Sequence, residues 1–485
     1  MLLFLSDLHL QDDSFLADSS EERFLRLAQQ IETAALDACV RSDGTEAPIE
    51  KVDVVFLGDV LDLAHSRRWI DRNVRPWSDP ATPAFASTVH EILDATFARH
   101  AAGLERLDDF SSRGTISLEL AGKFGPIVAE TPIRFHYLVG ERDWILHLPE
   151  PSLDSVRQKV VNHFRLSQSG QEPFPHDPDE SPAIEELLRA RRTYARHGDR
   201  FDALCFPEQR DRASLRDVLL LEVLLPFLIQ AEPAVRAEMP PAFWQDLCRL
   251  TCVARWSCLT DYLDGVFERY DLAPQAVRDW RSTWDELVYA VRTLECFRDL
   301  AESLPRGFAD EFAQALSFRE RSRGGDDASR KRVRETWDRK SGSLAPFAAR
   351  EQEFRNRRAR YVVYGHREAP ESELLDQTIA DGYALEQIYL NAGMWGVTVK
   401  PSLGTGAPAF HAVERCRLLA IADGDELEGR GYATWDSERS AVVAPRRAPE
   451  HPRREQTPSR ERQHAAHAGV RRPHFLNVAA RARKS

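Results

Sequence analysis

The chain has 485 residues, 42% of them hydrophobic and 29% charged, and a formal net charge of −12. That composition marks a soluble globular protein too long for one simple core, so two domains with appendages are expected. The acidic balance argues against a nucleic-acid-processing surface, and seven scattered cysteines, an odd number, point to a reducing compartment rather than a disulfide framework.

The first predicted strand opens at Met1-Leu-Leu-Phe-Leu5, with no basic leader, no longer apolar stretch and no cleavage signal, which predicts a cytoplasmic protein. In Phe4-Leu-Ser-Asp-Leu-His-Leu10 the apolar run stops at Asp7 and His9, which point the same way past Leu8 on an extended segment. Val55-Phe-Leu-Gly-Asp-Val-Leu-Asp62 repeats the pattern and ends its strand at Gly58 and Asp59. Ile133–Trp144 breaks at Gly140 into Glu141, Arg142 and Asp143, and Tyr194–Asp199 places His197 before Gly198. Glycine at each break lets the backbone turn sharply and approach a buried ion.

Residues 201–354 then carry little strand signal. Leu219, Leu220, Val223, Leu224, Phe227 and Leu228 recur at three-and-four spacing, predicting a helical insertion placed to overhang the site and select substrates, or else simply to stabilise the fold. Cys248, Cys252 and Cys258 read as core packing within it. Its longest apolar stretch, Val218 to Ile229, is broken by Glu222 and Pro226 and falls short of the ~18 apolar residues of a membrane span, so no transmembrane segment is expected. Residues 322–342 are rich in Gly, Ser and charge and predict a flexible loop, and Pro346 to Arg360 predicts a charged helix.

The core resumes with Tyr361-Val-Val-Tyr-Gly-His-Arg-Glu368, which sets His366 and Glu368 after Gly365, and with Tyr389-Leu-Asn-Ala-Gly-Met-Trp395. From residue 446 to 484, eleven Lys or Arg against three Glu leave +8, and hence −20 on the rest of the chain. A basic, proline-bearing tail over 445–485 predicts disorder, either resting against the acidic body or touching nucleic acid or an anionic membrane.

A divalent cation that activates water takes imidazole and carboxylate ligands together, and one Asp can bridge two such cations. In that order and strand context, Asp7-Leu-His9, Gly58-Asp-Val-Leu-Asp62, Gly140-Glu-Arg-Asp143, His197-Gly-Asp199 and Gly365-His-Arg-Glu368 resemble the motifs of the calcineurin-like metallophosphoesterase superfamily. The resemblance covers roughly residues 1–200 and 355–425. It implies an α/β fold, a sandwich of two mostly mixed β-sheets flanked by helices, with residues 1–200 and 355–440 as the core and 201–354 as a helical cap.

The same resemblance implies a two-metal site, with Asp7, His9, Asp59 and Glu368 around one ion and Asp59, Glu141, His197 and His366 around the other. Glu141 and Glu368 depart from it, standing where the family has Asn and His. Either both serve as oxygen ligands or metal binding has decayed. Retention is favoured, because drift would more often leave Ala, Ser or Leu than two acids that repel their neighbours when no ion is bound. Four carboxylates bring more negative charge than two, so Arg142, with Arg67 and Arg68, is expected to hold the substrate's anionic oxygens, and the ions are expected to be Mn²⁺, Mg²⁺ or Fe²⁺ rather than Zn²⁺.

An arginine at position 142 is a poor general acid, which suits a leaving group already stable as an anion. The motif is similar to that of the UDP-2,3-diacylglucosamine diphosphatase branch. The expected function is a phosphoesterase that hydrolyses a phosphoanhydride or phosphodiester, on a phosphorylated small molecule or lipid-linked substrate, by in-line attack of a metal-bridging hydroxide. The alternatives are a nuclease or nucleotide phosphodiesterase acting with a partner, and a non-catalytic binding protein that keeps the fold.

Overall fold

A computed structural model of the chain describes residues 1–444 apart from 16–19, 112, 123–124, 203–204, 206–211, 303–306, 320–341, 381–382 and 403–408. The predicted basic tail and nearly all of the predicted loop at 322–342 lie outside the described residues. Eleven strands are described: β1 (Leu2–Leu5), β2 (Val52–Leu57), β3 (Thr115–Gly122), β4 (Gly125–Leu138), β5 (Thr193–Arg196), β6 (Tyr361–Tyr364), β7 (Glu371–Ala380), β8 (Tyr383–Asn391), β9 (Gly396–Pro401), β10 (Phe410–Ile421) and β11 (Tyr432–Ala444).

The strands form two mixed sheets. One runs β11-β10-β1-β2-β4-β3, with β9 also on β10, and the other runs β5-β6-β8-β7. In the first, β1, β2 and β4 are parallel, and in the second β5, β6 and β8 are. Alternation along each strand sorts its side chains between layers. Leu2, Phe4, Val55 and Leu57 face Tyr361, Val363, Ile388 and Leu390 in a core shared by the two sheets. Leu3, Leu5, Val54 and Phe56 point the other way, into the larger core beneath the helices Ser20–Ala38 and Pro83–Ser111. The first of these helices buries Phe24, Leu27, Ile31, Ala34 and Ala38, a stripe at three-and-four spacing.

The described residues of the insertion are mostly helical, but they do not fold as a body of their own. Met1–Arg446 is one compact unit, and Leu219, Phe227, Trp256, Leu263 and Trp284 of the insertion belong to the same contiguous core as Leu3 and Phe56. A strand-like bridge joins Val253 to Val399, the Tyr262 and Phe410 rings meet edge to face, and Arg75 pairs with Glu222 at 2.5 Å. The helical run Leu215–Glu238 is long and apolar enough by composition to cross a membrane, yet 61% of its most apolar window is buried inside the protein. Its hydrogen bonding widens to a π turn over Leu220–Leu224, directly before Pro226, whose ring nitrogen has no N–H to give the helix.

The charged helix expected over Pro346–Arg360 is instead two single turns, Ala345–Ala348 and Gln352–Arg355. Leu344, Ala345 and Ala348 pack on Val362, Tyr364 and Tyr389, so docking on the sheet dictates the local path. Cys248 and Cys258 are buried and Cys252 half-buried, and none of the seven cysteines is in a disulfide.

Candidate metal centre

Parallel strands share an end, and here the carboxyl ends of β1, β2, β4, β5 and β6 each release a polar residue at the same edge of the sandwich. Asp7 and His9 follow β1, Asp59 follows β2, Glu141 and Arg142 follow β4, His197 follows β5 and His366 follows β6. The backbone is bent hard to do this. Asp7, His9, Asp59 and His366 have φ values of 57°, 47°, 55° and 63°, a left-handed conformation that costs a side-chain-bearing residue roughly 1–3 kcal/mol and clusters at functional sites.

The strand ends also approach one another closely. A Cβ on Gly140 would overlap Asp59 Oδ1, and one on Gly58 would stand 2.5 Å from His197 Nδ1. We expect Gly140→Ala to push the Asp59 carboxylate aside and abolish the metal-induced rise in melting temperature, while Gly114→Ala, at a turn with open space around it, leaves that rise intact; thermal scans with and without Mn²⁺ check both.

Asp7, Asp59 and His197 bring one ligand atom each within 4.8 Å of one another. Asp7 Oδ2 accepts from Ser6 Oγ at 2.5 Å and from the His366 amide at 3.1 Å, and its Oδ1 lies 3.6 Å from His9 Nε2. Asp59 Oδ1 accepts from the Arg142 amide at 2.8 Å, and its Oδ2 lies 3.4 Å from His197 Nε2. His197 Nδ1 donates to the Leu57 carbonyl at 2.8 Å, fixing the ring, while Nε2 is buried without a hydrogen-bond partner. Donor atoms around a divalent ion at about 2.1 Å stand about 3.0–3.5 Å apart, which these spacings approximate.

A second group stands alongside, its His366 ring 5.3 Å from that of His197. Glu141, His366 and Cys205 again place one atom each within 4.8 Å of the others. His366 Nε2 is held by Asp202 Oδ2 at 3.2 Å, and its Nδ1 lies 2.7 Å from Glu141 Oε2. That approach is an ion pair when His366 is protonated, yet it does not meet hydrogen-bond geometry, so Glu141 Oε2 is left without a well-angled donor, as two atoms facing a common third partner would be. Glu141 Oε1 pairs with Arg216 Nη1 at 2.5 Å. Arg216 comes from the first turn of Leu215–Leu219, where Ser214 caps the helix and exchanges hydrogen bonds with Asp217.

Two expectations are corrected. Glu368 does not join either group: its carboxylate pairs with Lys400 Nζ at 2.6 Å, because Lys400 on β9 offers it a partner across the turn that follows Gly365. Arg67 and Arg68 are neutralised locally, the first by Asp71 and Glu232 and the second by Asp12 and Asp13, so neither is a free anion holder. Arg142 is buried, 3.9 Å from Glu141 and 3.7 Å from Asp217, with Nε and Nη1 lacking hydrogen-bond partners. Cys205, Asp202 and Arg216 carried no sequence signal. Asp202 and Cys205 follow closely on His197-Gly198, and the Cys205 amide donates to the Asp202 carbonyl at 3.0 Å, so proximity to that motif was the one available hint.

Electrostatics follows from crowding. Burial and the charge of Asp59 lift Asp143 to about 7, although Tyr137 Oη and the Gly140 amide donate to it, each at 2.6 Å. Burial lifts Asp217 to about 6 against the pull of Arg142 and Ser214. Burial alone would raise the Glu141 carboxyl too, but His366, Arg216 and Arg142 outweigh it and hold Glu141 well below the usual range. The same contact, with Asp202, overcomes burial and raises His366 from 6.5 to about 9.

A raised histidine stabilises the fold fully below pH 6.5 and loses that contribution as pH rises through about 9. In the presence of chelator we therefore expect the urea midpoint to fall between those pH values and His366→Gln to flatten the fall. For the same reason a cation bound at His366 must displace its proton, so metal affinity should strengthen over the same interval.

Both groups open onto a cavity of about 680 Å³, lined on one side by Asp7, His9, Glu141, Arg142 and His366 and on the other by Thr251–Arg255 of the insertion. No protein-family model matches the chain, and no curated protein does.

Proposed function

We propose that the chain is a metal-dependent phosphoesterase of the calcineurin-like kind, acting on a small phosphorylated substrate. One observation carries this reading: two adjacent groups of ligand-type side chains, with buried unsatisfied donor atoms at His197 Nε2 and Glu141 Oε2, stand where five parallel strand ends converge. That placement follows the order of the sequence motifs, and a mixed α/β fold is compatible with the reading. Asp7, His9, Asp59 and His197 would hold one ion, and Glu141 and His366 would contribute to the other. When bound, a pair of divalent ions supplies an activated water and charge stabilisation on the transferring phosphoryl group.

The chain's own residues do the rest. The Leu57 carbonyl and Asp202 fix the two imidazoles, and the Arg142 amide fixes Asp59. The Arg142 guanidinium, on the cavity wall, binds anionic oxygens and steadies a leaving group that departs as an anion. A cavity of about 680 Å³ suits a small ligand rather than a nucleic-acid duplex.

The test is hydrolysis of bis-p-nitrophenyl phosphate and of nucleotide-sugar diphosphates by purified protein loaded in turn with Mn²⁺, Mg²⁺, Fe²⁺ and Zn²⁺. Metal-dependent turnover lost on chelation is expected. No turnover with any ion, on either substrate class, overturns the catalytic reading.

A further inference from the structure

We propose that Cys205 is a thiolate ligand of the second ion, which makes this half of the centre a Cys–His–Glu site for a thiophilic cation such as Zn²⁺ or Co²⁺ rather than for Mg²⁺ or Mn²⁺. The inference rests on the metal-centre reading and deepens it by naming the ligand set and the class of cation.

Cys205 Sγ, His366 Nδ1 and Glu141 Oε2 converge from three separate segments: the turn after His197-Gly198, the loop after β6 and the loop after β4. The cysteine is fully buried, as a ligand shielded from bulk water would be. Each of the other two is already oriented by a partner on its far side. Asp202 takes His366 Nε2, and Arg216 takes Glu141 Oε1, leaving the near-side atoms to face the sulfur. Metal-ligating imidazoles and carboxylates are characteristically anchored in this way. The independent sign of a ligand is Glu141 Oε2, buried in a 2 % exposed residue without a hydrogen bond although it lies 2.7 Å from His366 Nδ1.

Softness then selects the ion. A thiolate with one imidazole and one carboxylate is a donor set that would suit zinc-like ions, whereas Mg²⁺ and Mn²⁺ prefer oxygen. The neighbouring group, Asp7, His9, Asp59 and His197, has no sulfur. The two halves therefore differ in kind, and an ion that accepts mixed carboxylate and imidazole ligands, such as Fe²⁺ or Mn²⁺, in the first half beside Zn²⁺ in the second is the natural loading. Binding displaces the thiol proton to solvent as the S–metal bond forms, with no change of oxidation state.

The test uses the full chain titrated with Co²⁺, read by the near-ultraviolet sulfur-to-cobalt charge-transfer band and by equilibrium metal content. Wild type should develop the band as it binds two ions. Cys205→Ser and Cys205→Ala should lose it, retain one ion, and show a dissociation constant for the other weaker by about 100-fold. Cys39→Ser, at a buried cysteine outside the site, should keep band and stoichiometry. Binding of two Co²⁺ ions with no charge-transfer band in wild type overturns the thiolate proposal while leaving the metal centre standing, and this arm needs no variant to fold. No Co²⁺ binding at all overturns both.

Discussion

Asp59→Asn is expected to reduce phosphoester hydrolysis by at least a thousandfold, about 4 kcal/mol of transition-state stabilisation, and at the same time to leave the protein no less stable in chelator. The two effects share a cause. Asp59 is 1 % exposed, sits on a left-handed backbone and lies among Asp7 and Asp143, whose negative charges oppose its own. Removing its charge relieves that repulsion and lets Asp143 ionise more readily, which offsets the loss of the pairing by which Asp59 holds the His197 imidazole above its ordinary value. It also removes one oxygen facing His197 Nε2 and alters the carboxylate that the Arg142 amide holds at 2.8 Å.

A site of this kind trades stability for a cation, so wild type should gain what the variant cannot. At a metal concentration 100-fold above the dissociation constant the gain is about 2.7 kcal/mol. Thermal scans of both proteins with chelator and with excess Mn²⁺, alongside steady-state hydrolysis, check all parts. Equal activity in the variant, or an equal metal-induced shift, would move the proposed chemistry away from Asp59.

The strand ends were legible because two periodicities coincide there. An apolar run four to six residues long must be a buried strand, and the polar residue that ends it must lie at the sheet's edge, so Asp7, Asp59, Glu141, His197 and His366 could be placed before any fold was known. What the sequence hides is choice of partner. Glu368 reads as a ligand by resemblance to the family motif, yet it pairs with Lys400, a residue on β9 whose nearness is decided by how β9 pairs with β10. Arg216 and Cys205 are hidden for the opposite reason: the insertion brings them to the site from outside the motifs. The sharing of one core by insertion and sandwich was equally hidden, since helical periodicity shows that a face is buried but not against what.

Arg216→Ala is expected to cost about 3–5 kcal/mol of stability in chelator. The Glu141 side chain is buried and its Oε1 meets Arg216 Nη1 at 2.5 Å, while Arg142 stands farther off, 3.9 Å from the same oxygen. Removing the near guanidinium strands a buried carboxylate beside Asp202 and Asp217, and it also strips a cation from the Trp256 ring 5.6 Å away. The charge, not the packing, is the larger part, so Glu141→Gln in the Arg216→Ala background should recover most of the loss. A double-mutant cycle by urea unfolding should then return a coupling energy of about 1–3 kcal/mol. Saturating Zn²⁺ should shrink the cost of Arg216→Ala, because an ion at Glu141 Oε2 supplies the missing positive charge. If the cost were the same with and without the ion, Glu141 would be a structural acid held by Arg216 and its protein neighbours alone, and the second half of the centre would have to be redrawn without it.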